Sequence, residues 1–124
     1  MVSHQGEVPR TLVVDDDDLV RTVLRTALER VGHQVTEAAD REAAISAAAL
    51  MTFDLVIIDA RMPGLSLSDT LTGIRSSQEP HRAGVLVISG APVDDAVLTE
   101  HGASYLAKPV DLGDFMTSVR SATS

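Results

Sequence analysis

Leu55-Val56-Ile57-Ile58-Asp59, followed by Ala60-Arg61-Met62-Pro63-Gly64, decides the fold. Four apolar residues run straight into one carboxylate, and a turn follows at once. A continuous apolar run of this length between polar segments reads as a strand buried on both faces. An aspartate at its end sits where a buried parallel sheet first meets water. Asp59 is therefore the first candidate for the working side chain.

Working outward, Thr11-Leu12-Val13-Val14 predicts a first strand that ends in Asp15-Asp16-Asp17-Asp18. Leu19, Val20, Val23, Leu24, Ala27, Leu28 and Val31 then recur at helical spacing. Asp18 or Asp17 can cap that helix, and Gly32 can end it. Gln34–Ala38 is a weaker second strand. Asp40 can cap a second, Ala-rich helix through Arg41–Met51, whose small face suits close packing on a sheet.

Beyond the central strand, Leu67, Leu71 and Ile74 mark a third helix, in which Gly73 costs about 1 kcal/mol relative to Ala. Ser76–Ala83, with Pro80, reads as a loop. Gly84–Ser89 is the fourth strand, and Gly90 to Pro92 turn the chain. Val93, Ala96 and Val97 mark a short fourth helix ending near Gly102. Ser104–Ala107 is the fifth strand, which Lys108-Pro109 breaks. Asp111 can cap a last helix with Leu112, Phe115, Met116 and Val119 on one face. Strands alternating with helices predict an α/β, doubly wound, five-stranded parallel sheet with right-handed crossovers and five helices. Residues 1–9 read as a flexible tail and 10–124 as one domain.

Bulk composition narrows the function. The chain has 124 residues, enough for one core, and with no Trp, two Phe and one Tyr that core must be aliphatic. A net charge of −8 argues against nucleic acid or an anionic membrane as a direct partner. The absence of cysteine excludes disulfides and thiolate metal sites. No apolar run approaches a signal peptide or a membrane span, so the expectation is a soluble cytoplasmic domain.

The residues at the carboxyl ends of the strands form a constellation. They are Asp15 and Asp16, Asp59, Ser89 and Lys108. In an open parallel sheet these ends surround the ligand crevice. Three carboxylates that close repel one another, and a hard divalent cation such as Mg²⁺ relieves that repulsion. A cation, an ammonium and a hydroxyl together suit a phosphoryl group. No Gly-rich nucleotide-binding loop is present. The economical reading is a phosphoryl group carried covalently on a carboxylate.

Leu12-Val13-Val14-Asp15-Asp16-Asp17, Asp59-Ala60-Arg61-Met62-Pro63-Gly64, Val87-Ile88-Ser89-Gly90 and Tyr105-Leu106-Ala107-Lys108-Pro109, in that order, resemble the receiver domain of two-component response regulators. The resemblance runs from about Thr11 to Arg120. It implies a CheY-like, flavodoxin-like strand order of 2-1-3-4-5. It also implies that Asp59 is the phosphoacceptor, with Asp16 a direct Mg²⁺ ligand, Asp15 acting largely through water, and the Arg61 backbone carbonyl a further ligand. Ser89 becomes the switch hydroxyl, Tyr105 the switch aromatic, and Lys108 the partner of the phosphoryl oxygens. Lys108-Pro109 is often cis in the family. The implied partners are a histidine kinase or histidine phosphotransfer protein, and a downstream protein target or fused output domain. A phosphorylation-dependent homodimer is a further expectation. The protein would not be an enzyme beyond Mg²⁺-dependent self-phosphorylation and autodephosphorylation at Asp59. With no output domain after the last helix, the expectation is a stand-alone receiver or one cut from a larger regulator or hybrid kinase.

The chain departs from the family in two places. Leu65-Ser66-Leu67 lacks the usual Asp-Gly, and Ser89 to Lys108 is a few residues short, in the fourth helix and just before Tyr105. Arg61 and Ala91 occupy positions that tune phosphoryl lifetime in the family. Plainer readings stand beside these. Asp17 and Asp18 suit a cap and dipole partners. Asp94-Asp95 suits a solvated helix surface, and His4, His33, His81 and His101 suit the surface. Two rival functions remain. One is a haloacid-dehalogenase-like phosphatase, with Asp15 as nucleophile and Asp17 as general acid. The other is a receiver-like module that docks partners without phosphate.

Overall fold

The computed structural model describes residues 8–78 and 83–123. Ten elements alternate along the chain: β1 (Arg10–Val14), α1 (Asp18–Arg30), β2 (Gln34–Ala38), α2 (Arg41–Leu50), β3 (Leu55–Asp59), α3 (Leu67–Gln78), β4 (Gly84–Ser89), α4 (Asp95–His101), β5 (Ala103–Ala107) and α5 (Leu112–Thr123). The five strands form one parallel sheet in the order β2-β1-β3-β4-β5. The doubly wound fold expected from the sequence is the one observed.

Strand side chains alternate between faces, so one apolar run feeds two cores. Leu12, Val14, Val56, Ile58, Val85 and Val87 face Ala44, Ala48, Leu71 and Ile74 of α2 and α3, with Phe53 beside them. Val13, Leu55, Ile57, Leu86 and Ile88 face Leu24 and Leu28 of α1 and Phe115 and Val119 of α5. β3, at the centre, is buried along its whole length. In α2 the Ala-rich stripe permits close approach, and α3 answers with Gly73: a Cβ there would stand 2.9 Å from Ile45 Cδ1. The helix keeps a poor helix former because that position receives a side chain from its neighbour.

Local signals explain most boundaries. The Asp17 carboxylate caps α1 by accepting from the amides of Leu19 and Val20, and Asp40 and Asp94 cap α2 and α4 in the same way. Gly102, at φ 59°, ends α4 in the left-handed region. The Asp111 carboxylate accepts from the amide of Asp114 at the start of α5. The segment that lacks the usual Asp-Gly enters α3 through Ser66, whose hydroxyl accepts from the amide of Asp69 at 3.0 Å.

Four readings change. Residues 76–78 are helical, because Gln78 is buried and its amide group bonds the Phe53 N–H and the carbonyls of Ala48 and Met51. Pro80 lies outside the described residues. Asp94 is an N-cap, beyond being solvated surface. His101 is buried rather than exposed: α4 ends there, and its ring turns toward Ser68 and Arg75 of α3. His33 is half-buried, its Nδ1 2.8 Å from the Thr11 hydroxyl. His4 and His81, and residues 1–7 of the tail, lie outside the described residues. No helix among the described residues is long and apolar enough to cross a membrane.

Candidate functional site

Parallel register brings the strand ends level. Val14 pairs with Ile58, so the next residues, Asp15 and Asp59, emerge side by side. Asp59 pairs with Ile88, and Ser89 pairs with Ala107, which puts Ser89 and Lys108 at the same rim. Carboxylate oxygens of Asp15, Asp16 and Asp59 all lie within 4.8 Å of one another. Asp15 and Asp59 are buried, 1% and 6% exposed, whereas Asp16 faces solvent.

The two buried carboxylates are held alike. Asp15 Oδ1 accepts from the Asp17 amide at 2.9 Å and its Oδ2 from Lys108 Nζ at 3.1 Å. Asp59 Oδ1 accepts from the Arg61 amide at 3.0 Å and its Oδ2 from the same ammonium at 3.3 Å. Lys108 thus bridges β1 and β3 from the far side of the sheet, and its peptide bond to Pro109 is cis. Burial raises the Asp15 pKa, and the charge of Asp59 adds to that. The Asp17 amide and Lys108 oppose it. Burial works against the Lys108 ammonium, but the bond to Asp15 and the charges of both carboxylates outweigh it and raise its pKa.

This oxygen set fits a hard cation. Ligands about 2.0–2.1 Å from Mg²⁺ in an octahedron stand roughly 3–4 Å apart, within the span of the cluster. Such a cation would relieve the repulsion that a single ammonium leaves among three carboxylates. Asp15, Asp16 and Asp59 are the residues that could hold it.

Ser89 is fully buried, and its hydroxyl accepts from the Ala91 amide at 3.1 Å. Tyr105 is 38% exposed, and its hydroxyl donates to the carbonyls of Ser89 and Ala91, both at a long 3.4 Å. The tyrosine therefore already touches the loop that carries the serine. Asp17, the general acid of the phosphatase alternative, spends its carboxylate on capping α1.

Two arginines escaped the sequence reading. Arg21 Nη1 donates to the Asp15 carbonyl at 2.7 Å, and the same guanidinium pairs with Glu37 and Asp18. Arg41, on α2, donates to carbonyls of the β3–α3 loop. A signal for Arg41 exists in the sequence: Arg41, Ala44 and Ala48 lie on one helical stripe, and all three are buried.

A doubly wound sheet with an acidic crevice bridged by a lysine defines a class of small signalling domains, and comparison with known proteins makes it specific. The model of the response regulator receiver domain matches residues 11–120. The probable transcriptional regulatory protein TcrX of Mycobacterium tuberculosis is 30% identical over 118 residues, covering 94% of this chain and 50% of TcrX. The receiver domain of the hybrid histidine kinase CckA superposes with a TM-score of 0.79 at 34% identity, over 93% of this chain and 99% of that one. A response regulator receiver protein from Pseudomonas putida gives 0.81 at 30%, over 92% and 97%. The chain belongs to the response regulator receiver domain family, the CheY-like receivers of two-component signalling. It spans half or less of the length of the curated relatives TcrX, AfsQ1 and FleR.

Proposed function

We propose that this receiver accepts a phosphoryl group on Asp59 from a histidine kinase or histidine phosphotransfer protein, with Mg²⁺ bound at Asp15, Asp16, Asp59 and the Arg61 carbonyl. The observation that carries the reading is the single ammonium of Lys108 shared by Asp15 and Asp59. A lysine so placed can follow an oxygen of the incoming group while releasing neither carboxylate to solvent.

In the transfer, an Asp59 carboxylate oxygen attacks phosphorus. The bond from phosphorus to the donor's imidazole nitrogen breaks, and that nitrogen keeps the electron pair. Lys108 pairs with the phosphoryl oxygens, and the Arg61 amide, already on Asp59, keeps the carboxylate aligned. A cation held by Asp15, Asp16 and Asp59 would supply charge neutralisation for the transferring oxygens. The Ser89 hydroxyl exchanges its Ala91 amide for a phosphoryl oxygen, and Tyr105, which touches the same loop, follows. The message leaves through the α4–β5–α5 face to a downstream protein, a fused output domain or a second copy of the chain. Water then attacks the phosphorus, the bond to the Asp59 oxygen breaks, and release of inorganic phosphate returns the domain to rest, in the cytoplasm and without direct contact with nucleic acid or membrane.

Incubation with Mg²⁺ and a small acyl-phosphate donor should label wild type and leave Asp59→Asn unlabelled on a phosphoprotein gel, a loss of at least about 100-fold. Label that survives in the variant sinks the assignment. An unlabelled wild type, with a competent kinase also tried, points to the phosphate-independent docking module, a reading that the seven-residue α4 favours.

A further inference from the structure

Arg41 is 2% exposed, among the least accessible side chains of the described residues. A buried guanidinium is costly unless its donors and charge are matched. Here the donors go to main-chain carbonyls of one loop. Nη2 donates to Ala60 O at 2.8 Å and reaches Asp59 O at 3.5 Å, and Nη1 donates to Leu65 O. Nε is buried without a hydrogen-bond partner. Burial lowers the pKa of the group, and the charges of Asp59 and Glu42 act against that. For stability alone this is a poor arrangement, because an apolar side chain would fill the stripe at less desolvation cost.

The arrangement makes sense as loop control. The three carbonyls belong to Asp59, its neighbour, and Leu65 at the far end of the turn, so they bracket Arg61 to Gly64. This turn passes through Gly64 at φ 100°. Arg41 reaches it from another layer of the fold. We propose that Arg41 is a positioning residue of the phosphoryl site: a guanidinium clamp that fixes the Asp59–Leu65 loop and, through it, the Arg61 carbonyl that would serve as a cation ligand. The inference rests on the phospho-acceptor reading of that crevice. The Arg41 hydrogen bonds all go to main-chain carbonyls, so its part is played through the loop.

Two roles for this charge predict opposite signs. As a clamp, Arg41 strengthens cation binding by holding a ligand in place. As a mere positive charge near the crevice, it repels the cation. Isothermal titration of the intact chain with Mg²⁺, paired with circular dichroism melts, separates them. Arg41→Lys keeps the charge and loses the fork. It should raise the Mg²⁺ dissociation constant about tenfold, as loss of an outer support does, with the chain still folded at the assay temperature. Arg41→Met loses both, and its rise should be smaller, because a repelling charge has gone too. A lysine variant with wild-type affinity, or a methionine variant that binds more tightly, overturns the clamp. If both variants fail to fold, Arg41 is structural and the proposal is likewise overturned. A wild-type chain that takes up no Mg²⁺ removes the cation site itself, and the clamp with it. Wild-type binding with an unaffected lysine variant removes the clamp alone.

Discussion

The two sides of the sheet are built to different standards. β3 has every residue buried, and it delivers Asp59 between two neighbours that are themselves covered by helices. β5, at the edge, has no fully buried residue, and α4 beside it has seven residues. The crevice is held by buried carboxylates, a bridging ammonium and two helix arginines that donate to carbonyls of its loops. The α4–β5 side is held by an exposed tyrosine's long hydrogen bonds and by His101 against α3. Burial is concentrated at the centre of the sheet, beneath the crevice. The proposed switch would draw on the side with fewer buried residues, since low local stability is what a moving element requires.

That contrast can be broken by measurement. Ile57→Ala, at the centre of β3, should cost about 2–5 kcal/mol in urea unfolding, whereas Leu106→Ala on β5 should cost about 1 kcal/mol or less. Equal losses would mean that the edge is as well packed as the middle.

A subtler effect concerns the charge stored in the crevice. Asp15 has a pKa raised above its ordinary 3.8. Between 3.8 and the raised value the folded chain holds a proton that the unfolded chain has lost. The Asp15 contribution therefore stabilises the fold as pH falls through that window, and the ionised carboxylate opposes folding at neutral pH. In EDTA at pH 7, Asp15→Asn should be more stable than wild type, with an advantage that shrinks as pH is lowered. An asparagine variant less stable at pH 7 would show that Lys108 more than offsets the burial.

The smallest effect belongs to the edge. Tyr105→Phe removes two bonds of 3.4 Å from a partly exposed ring, and should change stability by less than about 0.5 kcal/mol. A loss above about 1.5 kcal/mol would show an anchored tyrosine and narrow the contrast.

The sheet was legible because its buried strands are continuous β-branched and Leu runs, and because the caps are single aspartates with local partners. Strand-end chemistry followed from the same runs, since a parallel sheet gathers its carboxyl ends. What escaped depends on partners distant in sequence. The stripe of Arg41, Ala44 and Ala48 hints at burial, but what Arg41 binds stays hidden until its carbonyls, 19 and 24 positions later, are in view. His101 reads as surface until α3 is packed beside it. Helical periodicity also overcounts: of seven apolar positions noted in and just after α1, only Leu24 and Leu28 are fully buried, while Leu19 is 72% exposed. A period shows which face is apolar, but not how far the neighbouring layer extends over it.

The lysine bridge has a consequence for how the chain is made. Lys108 meets Asp15 across 93 positions and Asp59 across 49. A ribosome delivers the carboxylates before their shared counter-charge, and the bridge needs contacts of high sequence separation. Until the last strand docks, the acidic cluster has no ammonium to balance it. The lysine bridge is thus a mark of completed topology: it exists only once the residue after β5 has come beside the ends of β1 and β3.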